Sequence, residues 1–476
     1  MTRTLLASGL FLLPFAFPAA AQAPQAAAAA PAPAAQAAQA TDPAARAKAL
    51  AKQLDQVEDT AQLQQLARGF GARGEHELAA LAWQRLVELR PHLGQYRLEA
   101  AAEHAQLARR SEAYTHLLEL QMQGYAFDIS DDARFKAVAD TEVWDHVLKG
   151  FEANRQPFGE GELAYTLPAE DLLVESLAWD PRRKQLLVGS ARTGTVYLVG
   201  KGGALKPLVR ADERNGMWAV MDVAVDADND VLWVASTAIP HFEGYEPEKA
   251  LGRASGFKFR LSNGKFIDSY LSPVVFGQSF FMSSLAAGRN GEVYAADGVN
   301  NAVYVVRDGE LKRLFHAPRL SGLRGMAVDG DGDTLYFADA ERGIMGFDLK
   351  TTRPFDVRVP ARLALGGIEG LLWWDGALIA VQGHMAPNRV MRFELAADGR
   401  SIASVRPLEA NKAPLTAPTD ATLAGDRVYL IANSQKANYD RFGLLRDRGA
   451  LEGTRIWTLD AGAFRDKDKA AAGAAR

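Results

Sequence analysis

The sequence predicts two folded parts of different classes: a short α-helical module, followed by an all-β part that we expect to be a six-bladed β-propeller. Two observations support this prediction. From about residue 160, six copies of one pattern follow each other, each an apolar strand, a turn rich in Gly, Asp or Asn, and a second apolar strand. The preceding hundred or so residues lack strand alternation and repeat their apolar residues at spacings of three and four, which is typical of helices.

The N-terminus has the features of a secretory signal peptide over residues 1–23. Arg3 precedes an apolar run from Leu5 to Phe17, and small residues with A-x-A spacing follow. The run is short for a membrane span and two prolines interrupt it, so an export signal is favoured over an uncleaved anchor. The sequence therefore predicts a periplasmic or secreted protein that has no membrane span after signal removal. Residues 24–43, mostly Ala, Pro and Gln, are expected to form a linker, and residues 462–476 a disordered tail.

Composition excludes several functions. The chain has 476 residues, a net charge of −4 and no cysteine. Disulfides and thiol catalysis are therefore excluded. The basic residues are dispersed and form no stripe, which argues against a nucleic-acid partner.

Residues 44–150 make up the predicted helical module. Small and apolar residues recur in it at a spacing of 34 residues. The pairs are Ala67 and Ala101, Ala79 and Ala113, and Leu86 and Leu120. This spacing resembles that of the tetratricopeptide repeat, in which small residues stand where helices touch. The resemblance covers about two repeats. It implies either binding of a protein partner through the helical repeats or a helical brace that packs on the next domain.

The all-β part spans residues 160–461. The six copies begin at Leu177, Val223, Leu285, Met326, Leu371 and Ala421. Third and fourth strands follow most of them, and four strands per unit at this spacing indicate propeller blades rather than two β-sandwiches. The last unit lacks a fourth strand, and we expect the segment from Glu162 to Pro168 to complete it.

One turn of this part resembles a calcium-binding loop. In "AVDGDGDTLYFAD", residues 327–339, aspartates stand at alternate positions from Asp329. The EF-hand pattern requires Gly at its sixth position and Glu at its twelfth, but Thr334 and Ala340 stand there. The segment is therefore interpreted as a polar turn between two strands.

The motifs "VESLAWD", "GLRGMAVDGDGDTLYFADA" and "GGIEGLLWWDGALIAVQG" are similar to those of the six-bladed propellers of the senescence-marker-protein/gluconolactonase family. In that family a divalent metal lies over the central channel, held by carboxylates and Asn at the start of innermost strands. The resemblance places six residues of this chain in the same column: Glu175, Met221, Ser283, Arg324, Glu369 and Thr419. Glu175 and Glu369 match carboxylate positions, whereas Ser283 and Arg324 stand where the family would have Asn.

Arg324 is the most consequential departure. A guanidinium stays charged and only donates hydrogen bonds, so it cannot be a metal ligand. Between Glu175 and Glu369 it would take the electrostatic place of the cation. We therefore hypothesise that no metal and no other cofactor is bound. The alternative is that Arg324 points to solvent and that one divalent cation, such as calcium, binds to Glu175 and Glu369.

Long loops on the same side of the ring carry aromatic and polar residues that suit a small-ligand pocket. The candidate ligand-face residues are His241, Tyr245, Gln278, Gln382, His384, Asn433, Gln435, Tyr439 and Arg441. No catalytic residue can be assigned. The favoured function is an exported protein that binds a protein partner or a small ligand at a degenerate metal site. The alternative is a metal-dependent lactone or ester hydrolase of the gluconolactonase type.

Overall fold

The computed structural model describes residues 43–465 except 276, 319 and 361. The predicted signal peptide, the linker up to residue 42 and the tail from residue 466 lie outside the described residues. Within the described part, no helix is long and apolar enough to cross a membrane.

In the described part of the chain, six α-helices form the module that precedes the propeller. They are α1 (Pro43–Leu54), α2 (Thr60–Ala72), α3 (His76–Leu89), α4 (Gly94–Gln106), α5 (Arg110–Met122) and α6 (Glu142–Asn154). Local hydrogen bonds begin two of them, since Asp59 accepts from the backbone of Gln62 and Thr141 accepts from that of Trp144. The module thus ends at Asn154, slightly beyond the predicted bound.

The constant spacing predicted for the module is confirmed. The spacing that separates Ala67 from Ala101 also separates the first residue of α2 from that of α4, and the first residue of α3 from that of α5. Successive helices from α2 to α5 pack against each other. The six residues paired in the sequence are fully buried in these contacts. Small side chains at these positions let the helices approach closely, which explains why alanine recurs there.

The predicted six-bladed propeller is also confirmed, because six antiparallel sheets of four strands follow the module. Blade one contains β2 (Val174–Asp180), β3 (Gln185–Ser190), β4 (Thr195–Val199) and β5 (Leu205–Arg210). Blade two contains β6 (Ala219–Asp226), β7 (Val231–Thr237), β8 (Ala254–Arg260) and β9 (Phe266–Leu271). Blade three contains β10 (Met282–Ala287), β11 (Val293–Asp297), β12 (Ala302–Arg307) and β13 (Glu310–His316).

The other blades follow the same order. Blade four contains β14 (Leu323–Val328), β15 (Thr334–Asp339), β16 (Gly343–Asp348) and β17 (Arg353–Asp356). Blade five contains β18 (Ile368–Trp374), β19 (Ala377–Gln382), β20 (Arg389–Leu395) and β21 (Ile402–Ala410). Blade six contains β22 (Ala421–Ala424), β23 (Arg427–Ile431), β24 (Arg455–Asp460) and the early strand β1 (Glu162–Thr166).

Strand β1 completes blade six, as predicted. It pairs antiparallel with β24, from Glu162 opposite Thr458 to Thr166 opposite Arg455. Each innermost strand contacts the innermost strand of the next blade, and β22 contacts β2. The ring is therefore closed by strands from both ends of the propeller sequence.

The segment that resembles a calcium loop is a turn between β14 and β15. Asp329 accepts a hydrogen bond of 2.8 Å from the backbone of Asp333, which closes the turn internally. The interpretation as a polar turn is confirmed.

The helical module packs on one side of the ring, which we call the mouth face because the innermost strands begin there. In an antiparallel blade the loops between second and third strands lie on this side. Ala364 and Met385 of blade five belong to one apolar cluster with residues of α4, α5 and α6. Arg389, buried at the start of β20, donates to the backbone oxygen of Gln123 at 3.0 Å. The module is therefore fixed against blades four and five.

Residues 462–465, which the sequence analysis assigned to the tail, instead pack on the propeller. The guanidinium of Arg465 lies 4.7 Å from the ring centroid of Trp374 and pairs with Asp375. Arg392, which is buried in blade five, donates to the backbone oxygen of Ala463 at 3.0 Å.

Candidate functional site at the mouth of the central channel

The innermost strands of blades one to five each contain a β-bulge near their start. A bulge places two residues opposite one and turns a side chain away from the regular alternation. The residues skipped in the pairing register are Glu175, Met221, Ser283, Gly325 and Glu369, and Arg324, which pairs with Ala338, directly precedes Gly325. In four of these five blades the bulged residue is therefore the column residue that the resemblance implied, and in blade four it is the residue directly after Arg324. Thr419 directly precedes Asp420 and the short strand β22, and its backbone N–H donates to Ile431.

Glu369 is the centre of one half of the mouth. Its carboxylate lies 3.5 Å from Nε of Arg324 and 3.0 Å from Nε2 of His384. Burial by itself would raise the pKa of Glu369, but Arg324, His384 and Lys436 outweigh burial and hold this pKa at about 2. Glu369 is therefore ionised at any ordinary pH.

Glu175 forms the other half. Its carboxylate accepts a hydrogen bond of 2.5 Å from the hydroxyl of Ser434. Burial raises the pKa of Glu175, and repulsion from Glu369 adds to this, against the attraction of Lys436 and Arg324. The two glutamates therefore belong to one electrostatic cluster but have pKa values shifted in opposite directions.

Lys436 is the second cation of this cluster. Its backbone N–H donates to the Ser434 hydroxyl at 3.2 Å, and its charge acts on both Glu175 and Glu369. Burial and repulsion from Arg324 lower the pKa of Lys436, while the two glutamates oppose this. Two carboxylates and two cations thus come together at the mouth.

Lys436 belongs to the loop of residues 432–454 between β23 and β24, which we call the blade-six loop. This loop crosses blade one, where the Tyr439 hydroxyl donates to Asp171 at 2.6 Å. Arg192 also pairs with Asp171, at 3.0 Å, and donates to the backbone oxygen of His241 in blade two at 2.8 Å. Met221 is buried beneath this bridge in an apolar cluster with Tyr439. The blade-six loop therefore covers the mouth on the side of blades one and two.

Five predicted ligand-face residues have internal roles instead. His241 is buried against the ring of Tyr439 with 5.8 Å between ring centroids, and burial lowers its pKa to about 4. Gln382 is buried where the module docks and donates to the backbone oxygens of Ala364 and Gly366. The three others, Asn433, Gln435 and Tyr439, hold the blade-six loop together by hydrogen bonds.

The remaining predicted residues are more open. Gln278 and Arg441 are exposed and Tyr245 is half-buried. All three lie in loops, far in sequence from Glu175 and Glu369. His384, by contrast, is 47% exposed and contacts Glu369 directly. Of the nine ligand-face candidates, His384 is the one whose side chain the structure brings to a glutamate of the column.

The channel itself lies below the mouth. Its cavity has a volume of about 410 Å³ and is lined by innermost strands of all six blades. Asp222 and Asp420 line it, and their carboxylates accept backbone N–H groups of neighbouring blades, at Leu285 and Leu177 respectively. Burial and mutual repulsion raise the pKa of Asp222, and burial raises that of Asp420 to about 7.

The mouth does not fit the divalent ion that the resemblance implies. Hard divalent ions need several converging oxygen ligands and no competing positive charge. Here Arg324 and Lys436 already stand beside the two glutamates, and the Ser283 hydroxyl donates to the backbone oxygen of Leu323 at 3.1 Å. Among the described residues, no three acidic or histidine side chains are close enough together to hold a metal.

Sequence reasoning did not single out Ser434, Asp222 or Asp420, and it noted Lys436 only as one of the polar residues of a long loop on the ligand face. Ser434 and Lys436 were two of many polar residues in a long loop. Asp222 and Asp420 directly follow column residues in blades two and six, and this shared offset was the available signal.

The fold and the site together define a six-bladed β-propeller with a charged channel mouth and a helical module packed on the mouth face. No protein-family model matches the sequence, and no curated protein sequence matches it. A gluconolactonase structure from Xanthomonas campestris is 17% identical, over 65% of this chain and 92% of that one, with a TM-score of 0.42. A PQQ-bound aldose sugar dehydrogenase from Streptomyces coelicolor is 14% identical, over 64% and 100%, with a TM-score of 0.43. At this level of similarity these structures say nothing about the chemistry of the mouth.

Proposed function

We propose that this protein is an exported binding protein that takes up a small ligand rich in hydrogen-bond acceptors at the mouth of its propeller, without a metal. The observation that carries the proposal is the order of exposure at the mouth. The His384 side chain is 47% exposed and that of Arg324 24%, whereas the Glu369 side chain between them is 17% exposed. The side chains of His384 and Arg324 are thus outermost and the Glu369 side chain lies beneath them.

This order favours an acceptor-rich or anionic ligand. Arg324 has N–H groups beyond the one that faces Glu369, and a guanidinium recognises carboxylates well. Glu369 fixes the orientation of Arg324 and His384 in advance, so little conformational freedom is lost on binding. A hydroxylated carboxylate of monosaccharide size is the simplest ligand of this class: its carboxylate can accept from Arg324, and a hydroxyl can donate to Nδ1 of His384, whose Nε2 faces Glu369.

The helical module acts as a brace in this proposal. His384 lies in the loop between β19 and β20, and Ala386 of the same loop accepts a backbone hydrogen bond of 2.8 Å from Ala126 of the module. Gly367, at the base of this loop, approaches the backbone of His384 so closely that a Cβ would stand 2.8 Å from it. Contacts on both sides therefore hold His384 in place.

The experiment is isothermal titration with three probes of similar size: gluconate, glucose and glucosamine. Gluconate is expected to bind most tightly because it is the anion. The variants Arg324→Gln and His384→Ala are each expected to weaken gluconate binding about 10-fold or more, the usual loss for one hydrogen bond to a charged group. Arg358→Gln, at an exposed arginine outside the mouth, is the matched control and should leave binding unchanged.

Three results would contradict the proposal. The first is preference for glucosamine, and the second is equal gluconate binding by Arg324→Gln and the wild type. The third is hydrolysis of glucono-1,5-lactone that calcium stimulates and a chelator abolishes, which would favour the metal-dependent hydrolase instead.

A further inference from the structure

The channel mouth contains two partly buried carboxyl groups, Glu175 and Glu369, whose negative charge in the ionised form needs compensation. Glu175 and Glu369 repel each other, and burial disfavours ionisation of both. Such a pair is stable only if positive charge stands close to it. In the propellers that this sequence resembles, a divalent ion would supply that charge.

Arg324 provides only part of the compensation. Its Nε lies 3.5 Å from the Glu369 carboxylate, which is longer than the roughly 2.8 Å of a strong charge-assisted hydrogen bond. Arg324 thus pairs with Glu369, whereas the hydrogen-bond partner of Glu175 is Ser434, a neutral side chain. The Glu175 half of the mouth therefore requires a second cation.

Lys436 stands in that place. Its backbone N–H donates at 3.2 Å to the Ser434 hydroxyl, which itself donates to Glu175 at 2.5 Å, and its charge attracts both glutamates. The fold determines its position, because the anchor from Tyr439 to Asp171 lies three residues further along the same loop. Ser434, two residues before it, is bonded to Glu175.

We infer that Lys436 and Arg324 are built-in cations that together replace a divalent metal, and that they mask an oxygen site formed by Glu175, Glu369 and Ser434. Lys436 comes from the blade-six loop, so the same residue neutralises the glutamates and joins this loop to the mouth. The inference does not depend on which ligand the mouth binds. It predicts that removal of both cations creates a calcium site that the natural chain lacks.

The test compares the wild type with Lys436→Met, Arg324→Asn and the double variant. Methionine keeps the length of the lysine stem without its charge, and asparagine offers a neutral amide oxygen. Calcium is titrated calorimetrically, and melting is followed in chelator and in calcium. The double variant is expected to bind one calcium ion per chain and to melt about 5 °C higher in saturating calcium. The wild type should show neither effect.

Glu369→Ala added to the double variant is the matched control, since it removes one proposed ligand and should abolish the calcium effect. Calcium stabilisation of the wild type equal to that of the double variant would overturn the inference. A double variant that folds, as judged by circular dichroism, but does not bind calcium would overturn it too. Should the double variant not fold, Lys436→Met decides through charge compensation: it must lower the melting temperature, and Glu175→Gln added to it must restore most of that loss, because the uncompensated carboxylate is then removed.

The result is independent of the gluconate titration. Calcium binding by the double variant concerns the masked oxygen site alone. Gluconate binding by the wild type concerns the exposed donors, so either proposal can fail without the other.

Discussion

Nε of Arg90, just after helix α3, lies 2.6 Å from the carboxylate of Glu341 in the loop between β15 and β16. Their side chains are 10% and 15% exposed. This ion pair spans the boundary between the helical module and blade four. Together with Arg389 and the apolar cluster around Ala364, it makes module and propeller one packed body.

Removing one member of this pair should be costly. Glu341→Gln leaves Arg90 buried without its counter-charge, and we expect a loss of roughly 3 kcal/mol in the free energy of unfolding. Urea unfolding measures it. Glu341→Gln should cost more than Asp398→Asn, which breaks the exposed pair with Arg358 and should cost at most about 0.5 kcal/mol. Equal effects of the two variants would mean that the Arg90 pair does not support docking.

Helix packing in the module should reject a larger side chain at the repeated alanines. Ala67 is fully buried in α2, so Ala67→Leu is expected to destabilise the protein by about 1–3 kcal/mol through overpacking. Ala61 lies exposed in the same helix, and Ala61→Leu should be nearly neutral. Thermal melting of both variants checks this, and similar melting temperatures would refute the repeat packing described for α2.

Asp420 should make stability fall as the pH rises. Its pKa is raised in the folded protein from 3.8 to about 7, so the stabilising contribution of its proton is complete below pH 3.8 and is lost as the pH rises to about 7. Asp420→Asn removes this titration. Relative to the wild type, the variant should gain roughly 2–4 kcal/mol in unfolding free energy from about pH 4 to about pH 8. Any constant cost of the amide cancels in that difference.

Asp131, an exposed aspartate of the module, offers the control. The unfolding free energy of Asp131→Asn should change with pH in the same way as that of the wild type across this range. If Asp420→Asn also ran parallel, the carboxylate would not carry a raised pKa.

His92 should have the opposite pH dependence. It lies where the module meets blade five, and its Nδ1 accepts a hydrogen bond of 3.3 Å from the backbone of Leu365. Burial lowers its pKa to about 4, so its contribution is complete above the unfolded value of 6.5 and is lost as the pH falls to about 4. Between about pH 7 and about pH 4 the wild type loses unfolding free energy, and His92→Asn should reduce that loss by roughly 2–3 kcal/mol. The free energy of unfolding of both proteins, measured at about pH 7 and about pH 4, tests this prediction.

His146 lies exposed on α6 and provides the matched substitution. His146→Asn should not alter the acid sensitivity. A His92→Asn variant as acid-sensitive as the wild type would show that His92 can accept a proton without disturbing the interface.

Much of the fold follows from local patterns. The six blades could be predicted because each strand alternates with a period of two and each turn carries Gly, Asp or Asn, which are properties of neighbouring residues. Strand β1 was recognisable because the last unit lacked a strand and a closed ring leaves no unit incomplete. The helical module was recognisable from its constant repeat spacing, since Ala67 and Ala101 must meet equivalent neighbours.

The candidate site depended on contacts between distant parts of the chain. His241, Gln382 and Tyr439 looked like ligand-face residues because they are polar and lie in long loops, yet their partners are internal. Tyr439 bonds to Asp171 across 268 residues, and this bond places Lys436 beside the glutamates. No spacing in the sequence distinguishes Lys436 from the other polar residues of its loop.

The sequence by itself determined the two fold classes and the number of blades, because periodicity and turn chemistry are local, while the column of residues at the start of the innermost strands was implied by the resemblance to a propeller family. Only the tertiary structure decided which of those residues meet, where the helical module docks and that two cations stand beside Glu175 and Glu369. The physical reason is that loop positions depend on burial and hydrogen bonds with partners far away in the chain, and a single sequence contains no local signal for such contacts.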